Sequence, residues 1–335
     1  MKSKFCTLIL GALISLAIAE DEFPDTPVAF PTALTVQVID ENGNNIGPCE
    51  LHFEFRNSNH PKSFRGPVWS DVRNTDETGK LKVIEDTIGS INVTSSKDGY
   101  YRSMKKYTWN MRENWKQIQA EQRLIPWNPT ITLTMKKIGD VVPMKVTPSF
   151  SIKLPGIGEE YVMDLLEADW LPPHGKGKVE DCFVSVIGNQ KSSKLLIRFP
   201  NPNDGMIRVE PSEHLESRLR FPREAPVNGY LPSVEITTVY DAYMRQPSFE
   251  EAMASGYLFR IRTPQDGQES DEGPLYGKIV RFSSFSGIRE WGGVPGARIS
   301  SIHLYINPEP GDRRIEADMT QNLKPGQNPP LPLFP

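Results

Sequence analysis

Val36-Gln37-Val38-Ile39-Asp40-Glu41-Asn42-Gly43-Asn44-Asn45, followed closely by Glu50-Leu51-His52-Phe53-Glu54-Phe55-Arg56, decides the fold class. Leu34, Val36 and Val38 alternate with Thr35, Gln37 and Ile39, the period of a half-buried strand. Asn42-Gly43 then supplies the residues that take positive φ in a tight hairpin turn. In the second run Leu51, Phe53 and Phe55 share one face, and Glu50, His52, Glu54 and Arg56 share the other.

The same grammar continues outward. Thr75-Asp76-Glu77-Thr78-Gly79 is a turn leading into Leu81 and Val83. Ile91 and Val93 mark another strand that ends at Lys97-Asp98-Gly99-Tyr100-Tyr101, and Ile131, Leu133 and Met135 mark one more. Short strands punctuated in this way predict an antiparallel β-sandwich. Met111, Trp115 and Ile118 recur at helical spacing and predict a short amphipathic helix over Arg112 to Gln122.

Farther along, Phe150/Ile152/Leu154, Cys182/Val184/Val186, Leu195/Ile197/Phe199, Ile207/Val209, Val234/Ile236/Thr238/Tyr240, Tyr257/Phe259/Ile261, Tyr276 to Phe282 and Ile302/Leu304/Ile306 read as strands. Pro247 to Ala254 alone reads as helical there. The chain is thus expected to be all-β, a sandwich over 33–138 joined by a 139–148 linker to a larger antiparallel β domain over 149–318, with a Pro-rich tail over 319–335. Its 335 residues suffice for two such domains. The 30 prolines exclude a long-helix architecture, and apolar residues at 38% exclude disorder. A net charge of −4 provides no basic stripe, so nucleic acid is not expected as a partner.

Residues 1–19 read as a signal peptide. Lys2 and Lys4 form the basic region, Leu8 to Ile18 the apolar core, and Ala17-Ile18-Ala19 the small-x-small cleavage site. A membrane anchor is the other reading, but the apolar run is short and Glu20, Asp21 and Glu22 follow it at once, ahead of a lead-in over 20–32. Cleavage would shift the net charge from −4 to −6, leaving a chain secreted, periplasmic or at the envelope with no transmembrane anchor. Of its remaining cysteines, Cys49 and Cys182 each share a side with apolar strand residues. They are expected to be separately buried thiols, although that compartment permits a bridge. On a eukaryotic secretory route Asn92-Val93-Thr94 would be a glycosylation acceptor.

Val38-Ile39-Asp40-Glu41-Asn42-Gly43, Thr75-Asp76-Glu77-Thr78-Gly79 and Lys97-Asp98-Gly99-Tyr100-Tyr101 together resemble the carboxypeptidase regulatory-like family over about residues 30–137. That resemblance implies a transthyretin-like sandwich similar in shape to carbohydrate-binding domains. The Trp-rich stretch over 102–127 is long for such a module. The second half resembles a family of secreted bacterial proteins that join a domain of this kind to such a sandwich. The residues behind this likeness are Glu167-Ala168-Asp169-Trp170, His174-Gly175-Lys176-Gly177-Lys178, Tyr276-Gly277-Lys278 and Asn307-Pro308-Glu309-Pro310-Gly311-Asp312-Arg313. It carries no catalytic residues over.

Candidate chemistry is sparse. The sequence contains no Gly-x-Ser-x-Gly, His-Glu-x-x-His, Walker or dinucleotide motif, and no cofactor or enzyme activity is expected. Glu50, His52 and Glu54 point the same way as metal ligands would, but they also describe an ordinary solvated sheet face. Glu213-His214-Leu215-Glu216 reads as a polar turn. His174-Gly175-Lys176-Gly177-Lys178 could cradle an anion on converging N–H groups, or form a flexible loop. Asp266, Glu269, Asp271 and Glu272 could hold Ca²⁺, or form a solvated hairpin tip. Asp164, Glu167 and Asp169 are the carboxylates a hydrolase would use.

The ring-rich segment is the leading candidate surface. Tyr107, Trp109 and Trp115 could stack on the C–H faces of a sugar while Glu113, Asn114 or Gln117 bonds its hydroxyls; the same rings could equally be core. The expected partner is a polysaccharide or, in the structural and adhesive alternative, another envelope protein.

Overall fold

The computed structural model describes residues 28–56, 68–189, 191–209, 216–239, 256–265, 273–280, 285–291 and 294–324. The expected signal peptide, most of the lead-in, the 247–254 helix, the acidic loop at 266–272, residues 213–215 and the last residues of the tail lie outside them.

Among the described residues the chain is all-β apart from one short helix, and most neighbouring strands pair antiparallel. In the first unit, β1 (Phe30–Asp40), β4 (Lys80–Thr87) and β7 (Thr130–Met135) form one sheet in the order β4-β1-β7. Facing it are β2 (Glu50–Arg56), β3 (Val68–Asn74), β5 (Ser90–Ser96) and β6 (Ser103–Thr108), in the order β3-β2-β5-β6. The alternation in the quoted stretch does its expected work: Leu34, Val36 and Val38 from one sheet meet Leu51, Phe53 and Phe55 from the other in a common core. At the Asp40 turn, Asp40 Oδ1 accepts from the N–H of Asn42 and of Asn44, each at 2.8 Å, while Gly43 takes φ of 84°.

The second unit holds a five-stranded sheet and a seven-stranded sheet. The first contains β9 (Glu160–Asp164), β10 (Asp169–Trp170), β11 (Cys182–Gly188), β12 (Ser192–Arg198) and β14 (Ser233–Val239). The second contains β8 (Val142–Lys153), β13 (Gly205–Val209), β15 (Gly256–Ile261), β16 (Leu275–Val280), β17 (Phe285–Trp291), β18 (Val294–Asn307) and β19 (Ala317–Asn322). One core fills the space between these sheets. A smaller one lies on the other face of the larger sheet, covered by Phe221, Ala225 and Ile315.

Three expectations need correction. The 139–148 linker is already β-sheet from Val142, because β8 pairs with β19 at Val142 and Met144 and with β18 from Lys145 onward. The start of the 319–335 tail is strand to Asn322, pairing with β8. The helix is α1 (Trp115–Glu121), shorter than Arg112 to Gln122; Gln122 adopts φ of 52°, the left-handed conformation that ends helices. The expected antiparallel architecture holds, and each unit adds one parallel pairing to it. β1 runs parallel to β7, and β8 parallel to β19. These are the first and last strands of each unit, so the intervening unit itself supplies the long connection that parallel pairing needs.

Cys49 and Cys182 are buried free thiols in different cores. Burial pushes both above the usual thiol range.

The two units are stitched together. Segment 216–218 lies along the free edge of β6: Met104 N–H donates to Glu216 O at 2.8 Å, Arg218 N–H donates to Arg102 O at 3.0 Å, and Ser103 sits opposite Ser217. Lys105 Nζ meets Glu216 Oε1 at 2.6 Å. Lys136 Nζ donates to Leu219 O at 2.9 Å, and Arg223 pairs with Glu41. A sheet edge that would otherwise offer unpaired N–H and C=O groups is thereby covered.

Candidate functional site

The ring-rich segment crosses the mouth of the first sandwich. Trp109 Nε1 donates to Pro126 O at 3.0 Å, and its ring meets that of Tyr107 edge-on, 4.6 Å between centres. Trp115 projects from α1 against Phe30, 5.8 Å between centres, beside Ile118 in the same core. Trp109 is 2% exposed and Trp115 8%, so the expected platform is corrected: neither ring offers a face to a sugar, because each closes the end of an apolar core. Tyr107 is half-buried; Glu113 and Gln117 are exposed. Gln117 Nε2 donates to Glu121 Oε1 at 2.7 Å, and Glu113 N–H donates to Asn110 Oδ1 at 3.3 Å. The segment therefore has an anchored inner side of tryptophans and a polar outer side.

The His174-Gly175-Lys176-Gly177-Lys178 loop does gather N–H groups around anions, and the anions are the chain's own carboxylates. Lys176 N–H donates to Asp169 Oδ2 at 2.9 Å. Lys178 and Val179 N–H donate to Asp164 Oδ2 at 2.9 and 3.1 Å. A Cβ on Gly177 would come within 2.9 Å of Asp164 Cβ and 3.0 Å of Trp170 O, so glycine is required for this close approach. The loop is thus bound down, not flexible as the alternative reading had it.

Asp164 also accepts from Glu167 N–H, and from Arg262 Nη2 at 3.1 Å. Arg262 binds Asp181 as well, Nε to Oδ1 at 2.8 Å and Nη2 to Oδ2 at 3.0 Å, while its own N–H donates to Asp204 Oδ2 at 2.9 Å. Burial pushes Asp164 up, but three backbone N–H groups and Arg262 hold it below the ordinary carboxylate range. At Asp181 burial wins and the shift is upward despite the same arginine. An acid held ionised and enclosed by four donors is poorly suited to giving a proton to a substrate. Glu167 is exposed, 3.8 Å from Lys145.

On the outer face of β2, Glu54 Oε2 accepts from Asn92 Nδ2 at 3.1 Å. Among the described residues no three His, Cys, Asp or Glu side chains converge so as to hold a metal ion, and no helix is long and apolar enough to cross a membrane.

No protein-family model matches the chain, and no curated protein matches it. Solved structures similar in part include 3-chlorocatechol 1,2-dioxygenase from Rhodococcus opacus 1CP, at TM-score 0.25 and 11% identity over 34% of this chain; the chain spans 63% of that enzyme's length. A DUF3823 family protein from Parabacteroides merdae matches at TM-score 0.22 and 8% identity over 82% of this chain and 98% of its own. The shaft pilin SpaA of Lactobacillus rhamnosus GG matches at TM-score 0.21 and 8% identity over 74% and 93%. Superposition this loose fixes neither family nor activity.

Two groups emerge that the sequence reading passed over. Glu316, buried beneath the junction, accepts from Tyr101 Oη and from Gly139 N–H, each at 2.7 Å, and lies 2.9 Å from Arg223 Nε. Lys278 is fully buried in the smaller core. Its Nζ lies 5.0 Å from the centre of the Tyr305 ring and 5.6 Å from that of Phe221, with no hydrogen-bond partner among the described residues. One sequence signal existed for Lys278: it occupies the apolar register of Tyr276 and Val280 on β16.

Proposed function

We propose that the chain is a non-catalytic binding module acting outside the cytoplasm, with carbohydrate as its ligand. The observation that carries the non-catalytic part is the occupation of its acids by the fold. Asp164, Asp169 and Asp181 are closed off by backbone N–H groups and Arg262, and Glu316 by Tyr101, Gly139 and Arg223. The ligand contact is assigned to the outer side of the ring-rich segment. There Tyr107 offers part of its ring and Glu113 and Gln117 offer hydrogen-bonding groups, while Trp109 and Trp115 hold the segment in place.

A glycan array on the chain beginning at Glu20 tests this reading. Retention of neutral glycans that is lost in Tyr107→Ala and in the Glu113→Ala/Gln117→Ala double variant, with unchanged melting, supports it. Absence of any glycan retention, or retention indifferent to both variants, defeats it.

The stitched junction favours a second reading, a structural or adhesive component that binds other envelope proteins. Ion pairs and strand pairing along β6 make the two units one body that could bear load. A specific protein captured from the envelope, with no glycan retained, would select it.

A further inference from the structure

The stitching along β6 brings together two arginines from the two units. Ser103 and Ser217 face each other across this junction and are both fully buried, each 1% exposed. In an antiparallel pair, residues beside an inward-facing pair project to the opposite side. Arg218 N–H donates to Arg102 O, which makes these two arginines direct cross-strand neighbours on the solvent side. Opposed residues of this kind have Cβ atoms about 4.5–5.5 Å apart.

Both arginines are exposed, and neither side chain makes an ion pair or hydrogen bond among the described residues. The acid beside them, Glu216, is already engaged by Lys105 at 2.6 Å. Partial burial and the charge of Arg102 both disfavour the proton on Arg218. Like charges placed directly opposite each other oppose the fold. A fold that keeps such a pair, on a chain of net charge −4, holds a local positive site against its overall charge.

We infer that Arg102 and Arg218 form a binding site for the oxyanion groups, carboxylate or sulfate, of a polyanionic glycan. Two adjacent guanidiniums present planar forks of N–H donors, which suit the paired oxygens of such groups. The site exists only when the two units are joined, since each contributes one arginine. The inference rests on carbohydrate being the ligand class, but it uses a different surface from Tyr107, Glu113 and Gln117.

The test is titration of the full mature chain with dextran sulfate, polygalacturonate, neutral dextran and single-stranded DNA of matched charge, at low and near-physiological salt. Binding of either polyanionic glycan is expected to weaken about tenfold in Arg102→Gln and in Arg218→Gln, and to vanish in the double variant. Melting temperature should hold or rise, because a repulsion is removed. A response to dextran sulfate alone or to polygalacturonate alone supports the site and identifies its oxyanion. The inference is overturned if neither polymer binds, if the double variant binds as the parent does, or if DNA binds equally well. Neutral-glycan retention that depends on Tyr107 reads the proposed function separately, so either idea can fail alone.

Discussion

Tyr101 Oη donates a 2.7 Å hydrogen bond to Glu316 Oε1, joining residues 215 positions apart at the junction of the two β units. The same carboxylate oxygen accepts from Gly139 N–H, and Arg223 Nε lies 2.9 Å from its partner oxygen. Burial and the neighbouring carboxylate both push the Tyr101 hydroxyl above its ordinary range, so it remains a donor throughout the accessible pH range.

Removing that donor should loosen the junction. Tyr101→Phe is expected to cost about 1.5–3 kcal/mol, the usual worth of a hydrogen bond to a buried charge. Urea unfolding measures this, and intrinsic fluorescence should separate into two transitions if the units uncouple.

Lys278 should make stability rise with alkalinity. Burial lowers its amine to about 7, against about 10.4 in an unfolded chain. Between these values the unfolded state binds more protons, so stability climbs with pH; below about 7 the penalty is present in full. Lys278→Met keeps the packing against Phe221 and Tyr305 and removes the charge. It should stabilise the protein at pH 7 by several kcal/mol, an upper figure near ~4, and should flatten the slope. Chemical denaturation at pH 7, 8 and 9 reads both effects.

Arg262 neutralises two carboxylates that are all but unexposed, with Asp164 and Asp181 side chains at 2% and 0%. Arg262→Met strands both charges and is expected to cost about 3–5 kcal/mol, far beyond an exposed ion pair. Melting temperature measures it.

Asp164 has its own pH signature. Its folded value lies below the unfolded one, so its contribution is present above the unfolded value and fades as pH falls through the folded one. Asp164→Asn should therefore lose stability at neutral pH and narrow its deficit below about pH 4. Acid titration followed by circular dichroism checks this.

The tryptophans and their polar neighbours should separate cleanly. Trp109→Ala and Trp115→Ala are each expected to cost about 3–5 kcal/mol as cavities in the sandwich core. Glu113→Ala and Gln117→Ala should stay within about 0.5 kcal/mol. Thermal melts of the four variants suffice. A tryptophan variant with unchanged stability would place that ring at the surface.

Read residue by residue, the sequence disclosed those features whose cause is local. Alternation at Leu34, Val36 and Val38 and at Leu51, Phe53 and Phe55, broken by Asn42-Gly43, determined strands, a turn and an inner face, because each depends on neighbours a few positions away. The helical recurrence of Trp115 and Ile118 likewise determined a helix and its buried side. That both Trp109 and Trp115 close the core, leaving Tyr107 half-buried beside them and Glu113 and Gln117 outside, was not legible. A ring that packs and a ring that binds have the same composition.

Only the tertiary structure decided which partners the charges find. Glu316 meets Tyr101 and Gly139, Arg262 meets Asp164 and Asp181, and Arg102 meets Arg218 across chain separations of about 80 to 215 residues. The parallel pairing of first and last strands in each unit belongs with these. Periodicity reports which face of an element turns inward. What waits on that face is settled by long-range packing, where an unpaired charge is costly enough to select one arrangement.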